Sequence, residues 1–169
     1  MGEKSNFVLN IKREDTMSET LSVTAIKEGT VIDHISPGQA LRIIRLLSLK
    51  HSNHQITIGL NLSSKRFGEK DLIKIEGRIL TPNEANDIIV FSSHATINII
   101  KNFKVSQKLK AHLPKSIKAV FVCANPNCIT HTEKIGSLFY IDQNSKQDTK
   151  LTCHYCNHQF DRDQVRVKI

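Results

Sequence analysis

The chain has no tryptophan, and aromatic residues make up only 5% of it. Stacking platforms for single-stranded nucleic acid need several exposed rings, so that mode of binding is poorly served. No apolar run is long enough to span a bilayer. The first residues, Met1 to Thr16, mix Lys4, Lys12 and Arg13 with Glu3, Glu14 and Asp15 and lack the apolar centre of a secretory signal. A soluble cytoplasmic chain with no membrane partner is expected. There is no Gly-rich phosphate loop of the Walker or Rossmann kind. A nucleophile elbow and a metalloprotease HExxH are also missing. Asp33-His34 is the one adjacent acid/base pair, with no nucleophile in view, and reads first as polar surface. With no catalytic constellation, the chain is expected not to be an enzyme.

What is present begins with charge. The chain has 169 residues, enough for one medium domain or two small ones, and a formal net charge of +8. Such a balance attracts phosphates or an acidic protein, or simply aids solubility. The bases are uneven: Lys101, Lys104, Lys108, Lys110, Lys115 and Lys118 share one stretch with no acid among them. The hydrophobic content of 39% is modest. Two small units would therefore both be marginal, and a metal or an oligomer would be needed to hold them.

Hydrophobic periodicity divides the chain. Residues 1–20 read as a disordered polar tail, within which Met17 is a candidate alternative start. Leu21 to Ile26 and Thr30 to Ile35 read as strands. Ser36-Pro37-Gly38-Gln39 has the chemistry of a helix start, with Ser36 as cap. It predicts a helix to about Lys50 that buries Leu41, Ile44 and Leu47. Gln55 to Leu62 alternates as a half-buried strand. Ser63 to Lys70 reads as a polar loop and Asp71 to Glu76 as a strand. Thr81 and Glu84 form a second capping box, for a helix to about Phe91. Ala95 to Lys101 is a further strand. Lys101 to Lys118, with Pro114, reads as a connector. Short strands are expected at Ala119 to Val122, Ser137 to Ile141 and Gln164 to Val167. The order predicts an α+β fold, a mostly antiparallel sheet with two helices on one face.

Four cysteines carry the sharpest chemistry. Cys123-x4-Cys128 and Cys153-x2-Cys156 are two knuckles separated by 24 residues. Each short loop can supply two thiolates to one tetrahedral zinc ion. Asn125, Pro126 and Asn127 are turn formers inside the first knuckle, and Asn157 after the second tolerates a left-handed turn. A disulfide framework is disfavoured by the expected cytosolic setting. His131, His154 and His158 lie nearby, but four thiolates already fill the shell. A catalytic zinc keeps an open position, so this one is expected to be structural. The His-x-Glu…Pro-Cys-x-x-Cys pattern of the zinc deaminases is absent. A nucleic-acid-binding zinc-ribbon protein is the competing reading, carried by the knuckles and the basic stretch.

Several blocks resemble the regulatory chain of aspartate carbamoyltransferase. They are Gly29 to Ile35 (GTVIDHI), Ile56 to Leu62 (ITIGLNL), Lys70 to Glu76 (KDLIKIE), Ala95 to Asn98 (ATIN) and both knuckles. The resemblance runs from about Leu21 to the C-terminus. It implies an N-terminal ferredoxin-like antiparallel sheet with two helices on one face, plus a small C-terminal β-rich zinc-binding domain. Residues 21–107 would be a nucleotide-binding allosteric domain, and residues 108–169 a zinc domain that docks the catalytic chain. CTP and ATP are the implied effectors. The implied assembly joins two catalytic trimers through three regulatory dimers. Carried over by position, Val23, Thr24, Ala25 and Ile26 present backbone to the base. Asp33 matches a ribose-contacting acid. His34, Lys74 and Lys108 match positions near ribose and phosphates. Asn98, Ile100, Phe103 and Val105 match the lining of the base and sugar pocket. Phe103 stands where the family usually has Tyr, and Thr24 replaces an acid.

Overall fold

Gly29–Ile35 (β1), rich in β-branched residues (Thr30, Val31, Ile32, Ile35), sits at the centre of a five-stranded antiparallel sheet. The computed structural model describes residues 24–142 and 149–168. The other elements of the first unit are Ala40–Leu46 (α1), Ile56–Ser64 (β2), Gly68–Glu76 (β3), Pro82–Phe91 (α2), Thr96–Lys101 (β4) and Lys104–Leu109 (β5). The strand order is β2-β3-β1-β4-β5. The first four strands and two helices trace βαββαβ, the ferredoxin-like path, and β5 extends it at one edge.

Register explains the two faces. Ile32 pairs with Ile73 on one side and Ile97 on the other, and Thr30 with Ile75 and Ile99. Ile32, Ile73, Ile75 and Ile97 are essentially fully buried and pack with Ala40, Ile43, Leu47, Ala85 and Ile88 of the helical layer. Each such isoleucine contributes about 1.5–3 kcal/mol. Thr30 belongs to this face because its hydroxyl is satisfied, donating to the Arg78 carbonyl at 2.7 Å and accepting from the Leu80 N–H at 3.2 Å. Gly29 has φ +134°, and a Cβ there would lie 2.0 Å from the Ile75 carbonyl oxygen, so no larger residue fits.

The two helices begin differently. At α2, Thr81 and Glu84 form the expected capping box, with Pro82 in the first turn. At α1 the expected box does not form. The helix starts at Ala40 with Gln39 as cap residue and no side-chain cap bond. The cap comes instead from Asp71, fully buried on β3. Its Oδ2 accepts the N–H groups of Gly38 (2.8 Å) and Ala40 (3.3 Å), and its Oδ1 accepts that of Asn61 (3.0 Å). Ser36 turns to Ser92, donating its N–H at 2.9 Å. The helix ends at Leu46 rather than near Lys50, because Ser48 adopts φ 51° before a 3₁₀ turn at Leu49–His51. Ile43 replaces Leu41 on the buried face, and Leu41 is 52% exposed.

Three other expectations are corrected. Ser63 to Lys70 is not a loop, because β2 and β3 pair through Ser64 and Gly68, leaving a three-residue turn. Lys101 to Lys118 is not a plain connector. Its first part pairs with β4 as β5, an exposed edge strand without an apolar face to betray it. Thr24 to Ile26 forms no strand, and Leu21 to Val23, like the polar tail, lies outside the described residues.

The second unit contains Ser116–Lys118 (β6), Phe121–Val122 (β7), Leu138–Asp142 (β8), Lys150–Cys153 (β9), Gln159–Asp161 (β10) and Arg166–Val167 (β11). They form a sheet β10-β9-β8-β6 and a pair β11-β7. The expected Ala119 to Val122 strand is broken at Ala119, whose φ is 61°. The strands β9 and β10 flank the second knuckle and are too short to show a period. The core is continuous across the two units: Phe91 of α2 meets Phe121 (5.5 Å between centroids), which meets Phe139 (6.0 Å).

Candidate functional site

Cys123 follows β7, Cys128 precedes a 3₁₀ turn at Ile129–His131, Cys153 ends β9, and Cys156 closes the turn toward β10. Local chemistry shapes both knuckles. Asn125 accepts the Asn127 N–H on its side chain (3.0 Å) and the Cys128 N–H on its carbonyl (3.1 Å). Asn157 takes the expected left-handed turn, at φ 54°, with its N–H on the Cys153 carbonyl at 2.9 Å.

All four sulfurs lie within 4.8 Å of one another. The Cys123–Cys156 and Cys128–Cys153 separations are 3.7 and 3.8 Å. A disulfide needs about 2.05 Å. A tetrahedron with metal–sulfur bonds of about 2.3 Å has edges of about 3.8 Å, so the sulfurs fit one ion. Burial pushes the Cys123 and Cys153 thiols above their ordinary range. Burial acts the same way on Cys156, but the backbone N–H of His158 and the Asn125 side chain outweigh it and draw that thiol down to about 6. A bound cation supplies the charge that ionises the remaining thiols.

The nearby histidines are engaged elsewhere. His131 Nε2 lies 2.9 Å from the Cys123 carbonyl, His158 Nδ1 3.0 Å from the Cys156 carbonyl, and His154 Nδ1 3.1 Å from the Tyr140 hydroxyl. His154 also packs edge-on against Tyr140 and Tyr155, both exposed at the surface of the second knuckle. The four cysteines thus form a closed donor set that can hold a metal and leaves no position for a reacting water.

The second feature is the face of the large sheet away from the helices. Lys74 of β3 pairs with Val31 of β1, Val31 with Asn98 of β4, and Asn98 with Lys108 of β5. One row across four strands therefore carries lysines at both ends. Strand spacing of about 4.8 Å separates their backbones by about 14 Å, within reach of two lysine side chains converging on one ligand. Asn98 Oδ1 is buried and has no hydrogen-bond partner among the described residues. An acceptor left so costs about 1–3 kcal/mol until a ligand donor meets it.

Asp33 and His34 stand at one end of this face, at a bulge where His34 takes φ 57°. The Asp33 carboxylate lies 2.8 Å from Lys70 Nζ and 3.6 Å from His34 Nδ1. At the other end Ile100, 8% exposed, pairs with Val105. Phe103 and Val105 are 63% and 52% exposed, so this wall faces solvent. Lys74 Nζ donates to the Thr24 carbonyl at 2.6 Å, and the Phe103 N–H to the Lys27 carbonyl at 3.0 Å. These bonds bring Thr24, Ala25 and Ile26 alongside the row, while Val23 lies outside the described residues. Burial lowers the Lys74 pKa, against the pull of Asp33.

Sequence reasoning missed Lys70, Phe67 and His94, because it placed the first two in a loop. Phe67 stacks on His94 at 5.2 Å and meets His34 at 5.8 Å. Together with Lys70 they line a pocket of about 140 Å³ beside Asp33. Ser63 to Arg66 are all polar, so no alternation beyond Leu62 marked the hairpin's continuation past that residue.

A ferredoxin-like sheet with an open lysine-bearing face, joined to a closed four-cysteine module, defines an α+β chain with a candidate metal centre. Residues 21–112 match the family described as aspartate carbamoyltransferase regulatory chain, allosteric domain, and residues 115–166 match its metal binding domain. Proteins named aspartate carbamoyltransferase regulatory chain are similar to it across most of their length. The one from Chromobacterium violaceum is 45% identical over 88% of this chain and 97% of its own. Those from Neisseria gonorrhoeae and Pyrococcus horikoshii are 46% and 43% identical, again over 88% of this chain. The chain belongs to the aspartate carbamoyltransferase regulatory chain family, and is thus a regulatory rather than a catalytic chain.

Proposed function

We propose that this chain binds nucleoside triphosphates, CTP and ATP, on the open sheet face and conveys their presence to an aspartate carbamoyltransferase catalytic chain in the cytoplasm. The observation that carries this reading is the row Lys74–Val31–Asn98–Lys108 with its unmet acceptor at Asn98. The lysines supply point charges for phosphates. The Asn98 oxygen offers an acceptor to an amino or hydroxyl group, and Ile100, Phe103 and Val105 offer apolar contact to base or sugar. Residues 21–107 hold this effector site and 108–169 the docking module, with Lys108 at the division.

Cys123, Cys128, Cys153 and Cys156 would hold zinc, whose role is to fix the docking module. The exposed Tyr140, Tyr155 and Ile129 give that module an apolar contact surface. The β2 edge, with Ile58 and Leu60 exposed, suits self-association into the regulatory dimer. Three such dimers would bridge two catalytic trimers.

The test is titration calorimetry of the full chain with CTP and ATP, together with sedimentation of the chain mixed with catalytic trimers. Saturable nucleotide binding and a zinc-dependent larger complex are expected. Binding of DNA or RNA with steep salt dependence and no nucleotide binding would overturn the reading in favour of a nucleic-acid-binding zinc ribbon.

A further inference from the structure

We propose that Arg42 and Arg162 form a latch between the sheet unit and the metal unit, and that exchange of their shared partner Asp163 carries the state of the open sheet face to the docking module. This rests on the regulatory reading above and assigns its transmission to named groups.

Arg42 projects from α1 into the C-terminal segment. Its Nη1 lies 2.5 Å from Asp163 Oδ1, and its Nη2 donates to the carbonyls of Arg162 (2.9 Å) and Val165 (2.5 Å). The guanidinium also sits over the Phe91 ring, 5.3 Å from its centroid. Arg162 reaches back the other way, donating from Nη1 to the Phe91 carbonyl at 2.7 Å. Each unit thus grips the other through one arginine. Planar forks of this kind hold orientation better than a lysine would.

The latch is incompletely satisfied. Asp163 Oδ1 serves Arg42 at 2.5 Å and Gln39 Nε2 at 3.4 Å, while Arg162 Nε stands 3.7 Å away. Arg162 Nε and Gln39 Oε1 are buried without a hydrogen-bond partner. A charge-assisted bond is about 2.8 Å long, so a shift of about 1 Å would give Asp163 to Arg162 and take it from Arg42. One carboxylate between two guanidinium groups has two arrangements, which is what a transmitting element requires.

The latch is wired to the effector face by a short path. His34, at the bulge, is two residues from Ser36. The Ser36 N–H and hydroxyl meet the buried Ser92 hydroxyl at 2.9 and 3.2 Å. Ser92 adjoins Phe91, which bears one arginine on its carbonyl and the other on its ring. On the other side, Gly38 and Ala40 are fixed to Asp71 just before α1 brings up Arg42. A movement of the β1 end on nucleotide binding displaces both halves of the latch together.

The experiment uses the full zinc-loaded chain assembled with catalytic trimers. CTP affinity is measured by calorimetry, and aspartate half-saturation is measured with and without CTP. Arg42→Met is expected to keep the CTP Kd within about twofold of wild type while reducing the CTP-induced shift in half-saturation at least threefold. Arg42→Lys retains the ion pair but not both carbonyl contacts, and should give an intermediate shift. Asp163→Ala removes the shared acceptor from an exposed position, and keeps the test open where Arg42→Met fails to fold. A full-sized shift in a folded latch variant overturns the proposal, as does a loss of CTP binding in proportion to the lost shift. A wild-type assembly that shows no shift overturns both the proposal and the regulatory reading, and that outcome is visible in the wild-type arm alone.

Discussion

Replacing Asp71 by asparagine should loosen the sheet unit at a buried, three-fold bonded carboxylate. The carboxylate is fully buried and accepts three backbone N–H bonds, from Gly38, Ala40 and Asn61, at 2.8, 3.3 and 3.0 Å. Asparagine keeps one oxygen and puts an NH₂ where the other accepted. If the oxygen stays toward Asn61, Gly38 and Ala40 face a donor; if it turns toward them, Asn61 does. Hydrogen bonds to charged groups are worth about 1.5–3 kcal/mol, and each orphaned buried donor costs about 1–3 kcal/mol. The 3.3 Å bond counts for least, so a loss of about 3–4 kcal/mol is expected. For a chain of this size that lowers the melting temperature by about 10 °C. Urea unfolding of the zinc-loaded chain, followed by far-UV circular dichroism, measures it. A variant within 1 kcal/mol of wild type would refute the claim that Asp71 is the cap of α1.

Removing the metal with a strong chelator should unfold residues of the second unit while the five-stranded sheet persists, since thiolate–metal binding supplies on the order of 10 kcal/mol in small modules; retained amide shifts around Cys153 after chelation would contradict this. Burial disfavours the Glu84 carboxylate, but the Thr81 N–H and hydroxyl and the Arg78 guanidinium outweigh it and hold its pKa below the ordinary glutamate value. Its depressed folded pKa gives stability that is present above about 4.5 and lost as pH falls through the folded value, so Glu84→Gln should flatten the acid limb of a stability–pH curve. Lys108→Ala should weaken triphosphate binding about tenfold but nucleoside binding much less, as calorimetry with the two ligands would show. Phe103→Tyr adds a hydroxyl on an exposed ring and should tighten nucleotide binding up to about fivefold, the worth of one net hydrogen bond; unchanged affinity would place that ring outside the site.

Legibility in the sequence followed locality. The α2 start was readable because Thr81, Pro82 and Glu84 satisfy one another within four residues. The α1 start misled because its acceptor is Asp71, on a strand later in the chain, so the capping pattern at Ser36 went unused. The metal centre was readable because each knuckle is a closed local turn bringing two sulfurs together. The strand β5 was unreadable because an exposed edge has no buried face to impose alternation. At the open face the lysines carried no period of their own. Their alignment depends on register between β3, β1, β4 and β5, which no single segment encodes, and only the family resemblance pointed to them beforehand.

The pairing of Tyr140 and Tyr155 around His154 has a practical corollary when set beside the missing tryptophan. These are the only two tyrosines of the sequence, and both stand on the metal unit. Tyrosine emission from the isolated chain therefore originates entirely in that unit, and the sheet unit is dark at those wavelengths. Unlabelled protein can report metal loss, or the approach of a docking surface, in a single optical channel that originates outside the sheet unit.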